Sequence, residues 1–163
     1  MFEDERSYSS LIKPIPTWTD WSEAAENIHR ISRAELEEDG RPVSDVAQEA
    51  LSALAGHTLY ASAPSWDGKW LSTLLRAAGH PRHALRLAKS DAAFFDAAVE
   101  ILGQYCNASE VEQLVQSVIM TIAPDRPAHR ALPDALIELE RLKQVRKGAN
   151  SLLQSRMVVR PGR

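Results

Sequence analysis

The sequence holds one cysteine, Cys106, among 163 residues. A disulfide within the chain is therefore excluded, and so is a disulfide scaffold; a reducing compartment is the expected setting. No apolar run approaches the roughly 20 residues that cross a bilayer. The first residues, Met1-Phe2-Glu3-Asp4-Glu5-Arg6, are acidic and lack the basic-then-apolar order of a secretory leader. A cytoplasmic protein without a membrane partner is expected. Glycine is sparse as well: the seven glycines never fall within eight residues of one another, so no glycine-rich phosphate loop exists. Neither a G-x-S-x-G turn nor an H-E-x-x-H pair is present. Asp91 and Asp96 lie five apart and do not share a helix face as a catalytic dyad would. His80 and His83 flank Pro81-Arg82, but two imidazoles fall short of the three or four ligands of a zinc site, and no acid lies between Asp67 and Asp91. Cys106 reads as a small buried hydrophobe. No catalytic residue, cofactor or metal is expected, and the chain reads as non-enzymatic.

Alanine and leucine are abundant. Together they number 41, against 17 for valine and isoleucine. This balance favours helix over strand, because β-branched side chains lose rotamer freedom in helices. Hydrophobic residues at 44% and charged residues at 25% are ordinary for a folded globular chain.

Nine prolines punctuate the sequence, and the segments between them carry helical periodicity. The expected fold is an all-α single domain of six or seven helices. Residues 1–19 form an irregular lead-in, 20–156 the helical domain and 157–163 a frayed tail. Asp20 with Glu23 reads as the capping box of a first helix, which runs to Asp39 with Trp21, Ala24, Ile28 and Ile31 on one face. A second helix follows Pro42 and reaches about Tyr60. Trp70, Leu71, Leu74, Leu75 and Ala78 mark a third. Pro81 suits the first turn of a short fourth helix ending near Ala88. The segment from Asp91 to Tyr105 is apolar on nearly every side, including Phe94, Phe95, Val99, Ile101 and Leu102, and is expected at the centre of the bundle. Ser109 with Glu112 reads as the capping box of the next helix. Residues 123–127 form a loop. The last helix is the longest, with a seam of Leu132, Leu136, Leu139, Leu142, Val145, Ala149 and Leu152, interrupted by Gly148 at a cost of about 1 kcal/mol relative to alanine.

The net charge of −3 is unevenly spread. Residues 1–40 hold ten acids and four bases, whereas residues 141–163 hold seven bases and no acid. Three features stand out as candidate sites. Trp18 with Trp21, and Trp66 with Trp70, are two pairs at helical spacing, and tryptophan is enriched where proteins meet. Trp66 and Trp18 are the expected contact residues, while Trp70 falls with Leu71 and Leu74 and is expected in the core. Arg141, Arg146 and Lys147 border the seam of the last helix and could meet an acidic surface. Arg76, Arg82, Arg86 and Lys89 cluster in a helix–turn–helix-like stretch over 69–89. There Arg82, Arg86 and Lys89 would share one face of the fourth helix and reach phosphates or groove edges.

The expected function is therefore a small helical protein-interaction module, a subunit of a complex or a regulator that binds a protein partner or its own copy. The alternative is a DNA- or RNA-binding regulator using the 69–89 unit and the basic C-terminal helix. The acidic pI of about 6.0 weighs against that alternative.

Overall fold

The computed structural model describes residues 1–123 and 130–159, with the side chain of residue 159 left aside. Among these residues the fold is a bundle of seven α-helices with one small sheet: α1 (Glu23–His29), α2 (Arg33–Asp39), α3 (Val43–Leu54), β1 (Leu59–Ala61), α4 (Pro64–Ala77), β2 (Leu87–Lys89), α5 (Ser90–Leu102), α6 (Ala108–Thr121) and α7 (Ala131–Val159). The all-helical expectation holds, with minor sheet content added. A single 3-10 turn, Gly103–Tyr105, extends α5 toward the boundary expected at residue 105.

The expected first helix is two helices. Arg30 adopts a left-handed conformation that closes α1, and the Ser32 side chain then accepts from the Glu35 amide to open α2. Ser22, rather than Asp20, caps α1 by accepting from the Ala25 amide. Trp21 and Ile28 stay exposed, because this short helix lies over no continuous core. α3 stops at Leu54, ahead of Gly56, whose φ of 75° a glycine adopts without strain. The next capping box is built on Asn107 and Glu110 instead of Ser109 and Glu112: each side chain accepts from the other residue's backbone amide. α7 continues through residue 159, so the frayed tail does not begin at 157. The loop expected over 123–127 lies outside the described residues beyond Ala123.

The largest correction concerns residues 81–88. No fourth helix forms there. Instead β2 runs parallel to β1, with Leu59 opposite Leu87, Tyr60 opposite Ala88 and Ala61 opposite Lys89, and α4 makes the crossover between them. A two-turn helix carries the full nucleation cost for few backbone bonds, whereas the ladder with β1 satisfies the same groups against a neighbouring strand.

Two apolar clusters hold the described residues together. The larger joins α5, α6 and α7 through Phe94, Ala98, Leu102, Val111, Val115, Leu142, Val145 and Ala149. α5 is its centre, as its nearly all-round apolar surface requires. The smaller joins α3 and α4 through Val43, Ala47, Leu74 and Leu75, with Ile12, Ile15, Trp18 and Leu85 packed against it. The lead-in reaches this cluster along a short extended contact: the Lys13 amide donates to the Arg41 carbonyl at 2.9 Å, and the Arg41 amide to the Leu11 carbonyl at 3.0 Å. Gly40 permits that approach. A Cβ there would lie 2.5 Å from the Lys13 nitrogen, closer than any side chain tolerates.

Candidate functional site

α4 starts at Pro64, a residue suited to the first helical turn, and buries Leu74 and Leu75. The face so defined decides where its tryptophans go. With about 100° per residue, Trp70 sits roughly 90° from the centre of the buried stripe and Trp66 still farther round. Both are exposed, Trp66 at 60% and Trp70 at 53%. Trp70 is thus outside the core in which the apolar spacing placed it. The two rings meet edge to face, with centroids 5.9 Å apart. The Lys69 ammonium lies 5.3 Å from the Trp66 ring centre and 5.0 Å from that of Trp70. Its charge lies over both rings, where the π electrons attract a cation.

Behind this trio the segment between α4 and β2 folds back. The Ser72 hydroxyl donates to the Arg82 carbonyl at 3.0 Å, and Arg82 Nε donates to His83 Nε2 at 2.7 Å. A cleft of about 470 Å³ opens here, lined by Gly68, Lys69, Ser72, His83, Leu85, Arg86 and Leu87. Its lining includes two permanent cations and no carboxylate. Arg82 and Arg86 are exposed on the loop. Arg76 is also exposed and, seven residues after Lys69, lies on the same face of α4. Lys89 stands apart, paired with Asp91 at 2.6 Å. Of the cations in the 69–89 stretch, Lys69 alone is placed against the tryptophans; Arg86 shares the cleft with it, and Arg82, Arg86 and Lys89 sit on a loop and a strand. The shared helix face expected for Arg82, Arg86 and Lys89 is not formed.

The other expected contact residues lie elsewhere. Trp18 is half-buried against the α3–α4 cluster, and its carbonyl accepts from Arg33 at 3.1 Å. Arg141 is mostly buried. Its Nε and a terminal nitrogen both donate to the Ile122 carbonyl just past α6, at 3.1 and 2.9 Å, and its other terminal nitrogen pairs with Glu138 at 2.6 Å. Arg146 pairs with Glu3 at 2.8 Å, and Lys143 pairs with Glu5. These two contacts join the acidic lead-in to the basic last helix within one chain. The Lys143 partner holds the Glu5 carboxyl below its ordinary range. Lys147 is exposed. The structure does not bring Trp18 or the α7 cations to the Trp66–Trp70 face.

Lys69 is a site residue that the tryptophan spacing alone does not single out. The signal was present in the W-x-x-K-W spacing, which puts an ammonium within reach of both rings once they share a helix flank. Among the described residues, no group of three or more His, Cys, Asp or Glu side chains is placed to hold a metal ion, and no helix is long and apolar enough to cross a membrane. Comparison with protein-family models, curated proteins and solved structures finds no match for the chain.

Proposed function

We propose that the chain is a partner-binding helical module that docks a protein through the α4 face of Trp66, Lys69 and Trp70. The carrying observation is the exposure of two neighbouring tryptophans on a well-formed helix. Large aromatic surfaces left in water gain by burial, and tryptophans dominate the energy of many interfaces. Lys69 on this face, with Arg86 in the cleft that Lys69 also lines, favours a partner carrying acidic groups. The experiment compares capture of partners from the native host by wild type and by Trp66→Ala, with and without nuclease. Trp66→Ala should keep its helical circular dichroism and weaken association by about 2 kcal/mol, the scale of a hot spot. Undiminished capture by this variant overturns the reading.

A second reading rests on a specific observation: Lys69, which lies over both exposed rings, also lines the cationic cleft. Proteins that bind single strands combine stacking rings with cations that follow the phosphates. In this reading the bases stack on Trp66 and Trp70, and phosphates lie at Lys69, Arg82 and Arg86. Duplex reading by a recognition helix has no support left, since residues 81–88 are not helical. Quenching of tryptophan fluorescence by single-stranded oligonucleotides, falling steeply with salt, would favour this reading over a protein partner. Capture that survives nuclease would favour the protein.

A further inference from the structure

The β1–β2 sheet is unfinished in three respects. Among the described residues it has only two strands. Among the described residues, no backbone hydrogen bond leaves β1 on the side away from β2. One face is bare as well: Tyr60 and Ala88, opposite each other in the ladder, are both exposed, with Tyr60 at 42%. Two-stranded sheets are marginal alone, and parallel sheets are normally covered on both faces.

The two free edges differ in chemistry. β2 is flanked by Arg86 and ends on Lys89, charges of the kind that protect an edge from pairing. β1 has no such protection. From Ala50 through Trp66 there is no Asp, Glu, Lys or Arg, and no proline falls within the strand. The start of β1 also borders a groove of about 670 Å³ whose lining mixes Leu51, Leu54, Leu59 and Leu87 with His57, His83 and Arg86.

We propose that the free edge of β1 pairs with β1 of a second copy of this chain, antiparallel about a two-fold axis. A neutral edge is complementary to itself: each copy offers alternating amides and carbonyls, and no like charges are opposed. An isologous contact of this kind closes at the dimer. It produces a four-stranded sheet ordered β2-β1-β1-β2, past the minimum for a stable sheet. It also brings the Tyr60 rings of the two copies to neighbouring positions on one sheet face, where aromatic pairs across strands are favourable. This dimer does not rest on the docking role of Trp66, which lies on α4.

Sedimentation of the whole chain from micromolar to millimolar concentration tests the proposal, alongside amide exchange of the wild type. Self-association to a dimer is expected, with amides of residues 58–62 gaining protection as concentration rises. Tyr60→Lys, which restores an edge charge, should weaken the dimer at least about tenfold. Ala88→Lys, on the same sheet face but on β2, should leave it intact. A monomer at every concentration overturns the proposal. So does a dimer that Trp66→Ala abolishes and Tyr60→Lys does not. If Tyr60→Lys fails to fold, the concentration dependence of wild-type exchange at 58–62 decides alone. Loss of partner capture by Trp66→Ala with an intact dimer would separate the two surfaces.

Discussion

Gly148 of α7 faces Leu114 of α6 so closely that a Cβ at 148 would lie 2.8 Å from the Leu114 Cδ1 methyl. A glycine that reads as a weak point in a long helix is therefore where two helices approach. Alanine at 148 gains about 1 kcal/mol of helix propensity and loses a similar amount as the flexible end of Leu114 shifts. Gly148→Ala should be close to neutral in chemical denaturation. Gly148→Val has no such escape and should destabilise by about 1–3 kcal/mol through overpacking.

Phe94 and Phe95 are adjacent in α5 but unequal in burial. Phe94 is 2% exposed within the α5–α6–α7 cluster, whereas Phe95 packs at its margin. About 100° of helix rotation separates the two rings, which leaves Phe95 at the edge of the cluster that Phe94 enters. Phe94→Ala should cost about 3–5 kcal/mol, and Phe95→Ala distinctly less. Thermal unfolding of the two variants checks the order.

Long periodic segments were the legible part of this fold. α5 announces its central place by being apolar all round, and Leu142, Val145 and Ala149 of the α7 seam are buried as their spacing requires. Short segments were not legible. Residues 81–88 carry Leu85 and Ala88 at helical spacing, and Leu85 and Leu87 at strand spacing. Three residues of strand are too few for the period to decide, and the partner that settles it lies at 59–61. The split at Arg30 is a backbone event that no apolar pattern records. At the candidate site, Trp66 is exposed, as a contact residue has to be. Trp70 is exposed against its expected core position, because a residue at the flank of an apolar stripe fits either side.

The Glu110 carboxylate is held below the ordinary glutamate range, first by the Asn107 amide and then by Arg156. A folded-state pKa below the unfolded value stabilises at higher pH, and the contribution disappears as pH falls through the folded value. Wild type should therefore melt above Glu110→Gln near neutral pH. The gap should close as pH drops below about 4, the ordinary glutamate value being about 4.3. A thermal-melt series across that window checks the sign.

Arg141 and Trp66 were both read from sequence as interface residues, and their environments separate them. The Arg141 donors are engaged inside the chain, on the Ile122 carbonyl and on Glu138, with the two side chains only 17% and 19% exposed. The second oxygen of Glu138 is buried without a hydrogen-bond partner, so the carboxylate depends on Arg141. Lysine cannot fork across a carbonyl and a carboxylate as a guanidinium does. Arg141→Lys should lower stability by about 1.5–3 kcal/mol, the range for hydrogen bonds to a charged group, discounted toward its lower end by the residual exposure. Pairing Arg141→Met with Glu138→Leu should recover part of the loss seen with Arg141→Met alone, because no carboxylate then remains unpaired. Partner capture per folded molecule should be unchanged in Arg141→Lys and reduced in Trp66→Ala, whose thermal midpoint should hardly move. If Arg141→Lys instead loses capture at full stability, the docking face extends to α7 and the division between structural and docking residues is wrong.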